Sequence, residues 1–124
     1  MILEVPQPNN PLSINRANSM HWATKKRILD PWREAVSQTW MIQGDRSIVG
    51  KPCEVTIGLW FRTLHRRDPH NYTGTVVKTI IDTLVRVGVW PDDTPEWVTV
   101  KDPVILLPND GNRAHYCIIK LEER

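Results

Sequence analysis

The chain has 124 residues, 40% of them hydrophobic, a formal net charge of +2 and two cysteines. That length predicts one domain, residues 1–124, with a single core that needs neither a disulfide framework nor a structural metal. Cys53 and Cys117 are too few and too far apart for a zinc site, and each falls in an alternating apolar run. Both read as reduced core residues, which points to a cytoplasmic setting.

The first ten residues, MILEVPQPNN, carry no basic stretch and no long apolar run, as expected of a protein with neither signal peptide nor membrane anchor. Met1 to Val5 reads as a short edge strand, and Pro6, Pro8 and Pro11 keep the next segment out of helix. From His21 onward, Trp22, Ile28, Leu29, Trp32, Ala35, Val36 and Trp40 recur at helical steps. Pro31 interrupts that stripe and predicts a kink or break, with helix continuing to about Trp40.

Gln43 to Pro52 reads as a surface loop, and Cys53 to Phe61 alternates as a strand with one buried face. Thr63 to Asn71 is a polar loop. Thr75 to Val87 is rich in β-branched residues, but Val76, Val77, Ile80, Ile81, Leu84 and Val85 share one helical stripe. Opposite them lie Thr75, Lys78, Thr79, Asp82, Thr83 and Arg86; Thr73 suits the N-cap and Gly88 the C′ position. Glu96 to Leu107 and Arg113 to Leu121, joined by Pro108–Asn112, resemble a hairpin, with Pro103 at a bulge or edge. The expected fold is α+β: a small mixed or antiparallel sheet with two main helices packed on one face.

Charge is uneven. Residues 1–67 carry ten Lys/Arg and five Asp/Glu, and residues 68–124 carry six and nine. Such a split suits a protein that grips a polyanion with one half and holds cations with the other, although ordinary surface scatter explains it as well.

Between Arg66 and Asp93 the chain concentrates carboxylates, a lysine and an arginine pair. Magnesium takes oxygen ligands, usually one or two carboxylates with retained water, and cationic groups meet phosphates. Asp68 before helix 75–87 and Asp93 after it are placed to converge against the sheet. Asp92 reads as a ligand or as a turn residue capping Thr94. Lys78, near the helix end that favours phosphate, can neutralise a phosphate oxygen or simply pair with Asp82. His70 fits a metal ligand, a general base or a histidine hydrogen-bonded in its loop. Arg66, Arg67, Lys25, Lys26 and Arg27 suit phosphate contacts or a solvated charged face. Trp22, Trp32, Trp40, Trp90 and Trp97 read as core material, and Trp60, opposite its strand's aliphatic face, predicts a second buried surface such as a dimer contact.

Arg-Arg-Asp-Pro-His-Asn at 66–71, Lys-Thr-Ile-Ile-Asp-Thr-Leu at 78–84 and Gly-Val-Trp-Pro-Asp-Asp at 88–93 together resemble the RusA family of Holliday junction resolvases, with a looser echo at 11–15. The resemblance implies a homodimeric, magnesium-dependent crossover junction endodeoxyribonuclease of bacteria or phages, acting on branched DNA in recombination and repair. It implies Asp68 and Asp93 as metal-site aspartates, Lys78 as the catalytic lysine, Asn71 as the family's asparagine and Asp82 as the aspartate that holds Lys78.

Two departures stand out. His70 occupies the place of a second aspartate, and several extra residues lie within Tyr72 to Val77. Exchanging a carboxylate for an imidazole weakens magnesium binding and shifts preference toward manganese. The expectation is therefore Asp68, His70 and Asp93 on Mg2+ or Mn2+, Lys78 stabilising charge, and DNA contacts from Arg66, Arg67, Asn71, Lys25, Lys26 and Arg27. A branched-DNA-binding protein with weak or no cleavage is the alternative, and a partner-binding subunit the third reading.

Overall fold

Chain order in the structure, a computed structural model that describes residues 1–124, is β1 (Ile2–Pro6), α1 (Ile14–Asn18), α2 (Trp22–Gln43), β2 (Cys53–Trp60), α3 (Lys78–Arg86), β3 (Val98–Val100), β4 (Val104–Leu106) and β5 (Tyr116–Glu123). Alternation decides which strand faces meet. Leu3 pairs with Ile119 and Ile119 with Ile57, while Leu121 pairs with Val55, and all five side chains are buried. Their shared face forms one wall of a single core to which Trp32, Val36 and Trp40 of α2 and Ile80 and Leu84 of α3 also belong. The fold is α+β with a mixed, open, five-stranded sheet and three α-helices.

β5 lies between β1 and β2, antiparallel to both, and β3 and β4 run parallel to β2 along its other side. The expected 96–121 hairpin is therefore overturned. Pro103, between β3 and β4, has no N–H for a ladder, so that run takes the sheet edge as two short pieces. Gly58 allows the second piece to close over β2, since a Cβ there would fall 2.9 Å from Leu106.

α2 does not break. It runs through Pro31, with Lys26 and Arg33 both bonded to the Asp30 carboxylate across the proline turn. Lys26, first, and Arg33 hold that carboxyl below the usual carboxylate range. Trp22 does not join the apolar face: it is 69% exposed, one turn before the stripe engages the core, whereas Trp32 is fully buried. The Trp32 indole donates to Asn9 Oδ1 (2.7 Å), and the Asn9 amide donates to the Ile28 carbonyl (3.0 Å), which ties the proline-rich segment to α2.

Trp60 is buried within the chain itself, beside the His115 ring at 4.3 Å, so it offers no surface for a dimer contact. The Gln7 side chain bonds both the N–H and the carbonyl of Trp60, acting as a short extension of the ladder.

Helix begins before α3. A 3-10 turn (Pro69–Tyr72) and a π turn (Thr73–Val77) precede it, so Thr73 is not an N-cap. Gly88, at φ +94°, ends α3 as expected: its N–H bonds to Val85 and that of Val89 to Leu84, the reciprocal pair of a Schellman motif. The threonines expected on the polar side are buried. Thr75 donates to the Leu12 carbonyl and Thr83 to the Thr79 carbonyl, which removes the cost of burying their hydroxyls. Both cysteines are buried and unpaired, with thiols pushed up by desolvation, and no helix is long and apolar enough to cross a membrane.

Truncating the two tryptophans should separate them. Trp32→Ala is expected to cost about 3–5 kcal/mol and Trp22→Ala to stay within about 0.5 kcal/mol, read from urea denaturation midpoints. Thr75→Val keeps the buried shape but deprives the Leu12 carbonyl of its donor, so the same measurement should show a loss of about 1–3 kcal/mol.

Candidate functional site

Only one row of α3 is exposed: Lys78, Asp82 and Arg86, spaced four apart, with Val85 half-buried. Lys78 Nζ lies 3.6 Å from Asp82 Oδ2, as the spacing predicted. Both pair members are well exposed, so their attraction is screened and the ammonium stays free to turn toward a ligand. Asp93 comes back from the far end of the helix to the same place. With Lys78 and Asp82 it borders a shallow cavity of about 310 Å³ whose apolar walls include Val77, Ile81 and Val100. A lysine and two carboxylates thus share one opening.

The helix start offers Lys78 less than its position promised. The N–H of Lys78 is already bonded to the Thr73 and Thr75 carbonyls of the π turn, so this end presents no open row of donors to a phosphate. The positive charge at the opening is that of the ammonium.

Asp68 and His70 lie outside that cavity. Asp68 caps the 3-10 turn, its Oδ1 accepting from the His70 N–H at 3.0 Å, and Asn71 N–H bonds to the Asp68 carbonyl. His70 Nδ1 stands 3.8 Å from Asp102 Oδ1, both side chains mostly in solvent. Asp102 was not anticipated: it sits in the run read as a hairpin strand, and only the Asp-Pro pair with Pro103 marks it as a turn. Asp92 does not cap Thr94; it accepts the Asp93 N–H at 2.7 Å and so fixes the backbone beside Asp93.

The set Asp68, His70 and Asp93 is not assembled as one cluster, and no three His, Cys, Asp or Glu side chains are close enough to hold an ion between them. Two carboxylates, Asp82 and Asp93, border the cavity, and magnesium usually takes one or two from a protein.

The basic residues divide by what they already hold. Arg67 donates to the Thr63 and His65 carbonyls at 3.0 and 2.8 Å and to Thr63 Oγ1 at 2.7 Å, with its guanidinium 4.1 Å over the Phe61 ring. It is a brace for the loop as well as a cation. Arg66 and Arg27 are exposed without an acidic partner, and Lys25 and Lys26 border a separate cavity with Trp22 and Arg86, where Asp30 neutralises Lys26.

Arg67→Lys removes the planar fork that spans the loop. Amide hydrogen exchange over residues 63–68 should accelerate several-fold, as the loss of net hydrogen bonds of about 0.5–1.5 kcal/mol each requires. No protein-family model matches the chain, and no curated protein matches it either.

Proposed function

We infer that the chain is a divalent-metal-dependent, structure-selective DNA endonuclease that resolves four-way junctions. The observation that carries this reading is the shared opening of Lys78, Asp82 and Asp93, with the Asp68–Asn71 turn leading into the same helical segment. The motif resemblance to the RusA resolvases supports the substrate and the residue roles.

When bound, a divalent cation supplies charge neutralisation at the phosphate and an activated water. On the motif resemblance Asp68, His70 and Asp93 would be the groups to hold it; of these only Asp93 borders the opening, which it shares with Asp82. Lys78 directs its ammonium at a non-bridging or leaving oxygen of the scissile phosphate, with Asp82 3.6 Å away beside it. Two symmetric cuts across a junction require a two-fold homodimer with one site per subunit, working in the cytoplasm of a bacterium or an infected host.

A second reading has its own observation. Because Asp68, His70 and Asp93 do not gather around one point, a branched-DNA-binding protein with weak or no cleavage also accounts for the surface.

A labelled four-way junction incubated with magnesium, manganese or chelator separates the two. The nuclease reading expects paired nicks with either metal, none in chelator, loss of cleavage in Asp93→Asn and a fall of about 100-fold in Lys78→Gln. His70→Asp should raise activity in magnesium if His70 occupies a ligand position. Metal-independent binding with no nicking overturns the nuclease in favour of the binding protein, and no binding even at low salt overturns both.

A further inference from the structure

A second cleft, of about 270 Å³, lies between α1 and the loop that follows β2. Arg16, Arg62 and Arg67 line it together with Asn10, Ser13 and Tyr72, and no carboxylate does. None of the three guanidiniums has an acidic group within 4.0 Å. Three like charges around one small cleft repel one another, and a bound anion relieves that repulsion.

The donors are also arranged. Arg67 spends three of its N–H groups on Thr63 and His65 and rests on Phe61, which leaves two of its five in a fixed orientation. Ser13 Oγ accepts the Arg16 N–H, so its own proton is free to be donated. Burial pushes the Tyr72 hydroxyl up, keeping it protonated. Arg62 and Asn10 border an adjoining cavity of about 140 Å³ as well, whose wall includes Trp60, a buried indole N–H with no acceptor.

We propose that the cleft is a phosphate anchor, in which one phosphoryl group of a nucleic-acid backbone sits among Arg16, Arg62 and Arg67 and is held without being cleaved. Its volume falls below the roughly 300–1,000 Å³ of pockets that take drug-sized ligands, which suits a single small anion. With no carboxylate present, nothing there gathers a cation or accepts a proton. The consecutive residues Tyr72 and Thr73 border the anchor cleft and the Lys78 opening respectively. The anion site rests on the arginines alone; that its anion is a nucleic-acid phosphate rests on the nuclease reading.

The test titrates inorganic phosphate against the whole protein while arginine Nε–Hε signals are followed by NMR, and measures junction binding in chelator by fluorescence anisotropy at several salt concentrations. Phosphate should shift the Arg16, Arg62 and Arg67 signals, and the double variant Arg16→Gln/Arg62→Gln should bind phosphate at least tenfold more weakly. The slope of log K against log salt for the junction should become shallower by about two. Equal phosphate binding by variant and parent overturns the site. Phosphate binding lost with junction affinity and slope intact overturns the nucleic-acid source and assigns free phosphate. A parent chain that binds phosphate but no junction at all overturns the nuclease reading together with that source, and leaves the anion site supported.

Discussion

Everything at the candidate site follows from how deeply α3 is sunk into the molecule. Seen end on, it buries Ile80, Ile81 and Leu84 on one side and Thr79 and Thr83 on another, so only the row through Lys78, Asp82 and Arg86 is left outside. A helix held that way cannot roll. β-branched residues lower intrinsic helix propensity, yet here they are surrounded by packing that offsets it, and the threonine hydroxyls return their hydrogen bonds to backbone carbonyls. Burial on nearly every side is thus what fixes where Lys78 leaves the helix.

The sheet carries that helix on an arrangement governed by a single proline. A strand in the middle of a sheet must give and accept hydrogen bonds along both edges, and the run from Val98 to Leu106 cannot, because Pro103 interrupts it. Tyr116 to Glu123 has no such gap and alternates cleanly, so it takes the place between β1 and β2. Both facts stand in the amino-acid order. What misled was the strength of the local turn at Pro108–Asn112, which suggests adjacent pairing when the partners of β5 lie more than fifty residues upstream.

The site was legible to about the same depth. The four-residue step from Lys78 to Asp82 and the return of Asp93 to the helix flank followed from periodicity and loop placement, and the structure brings those residues to one cavity. Asp102 did not, because nothing local relates it to His70 across more than thirty intervening residues. Nor did the double duty of Arg67, since neither a stacking ring nor a carbonyl acceptor leaves a periodic trace. Trp22 shows the opposite limit: it lies in phase with the apolar stripe but falls where α2 has run past the core.

The π turn at Thr73–Val77 gives this segment a tolerance that regular helix lacks. In an α-helix one residue more or less rotates everything downstream by about 100°. A π turn takes up an odd residue by widening one hydrogen-bonded ring, so the helix after it keeps its phase. The stretch between His70 and Lys78 can therefore change length without swinging the lysine away from Asp93, and chain length and aim become separable properties at this one point.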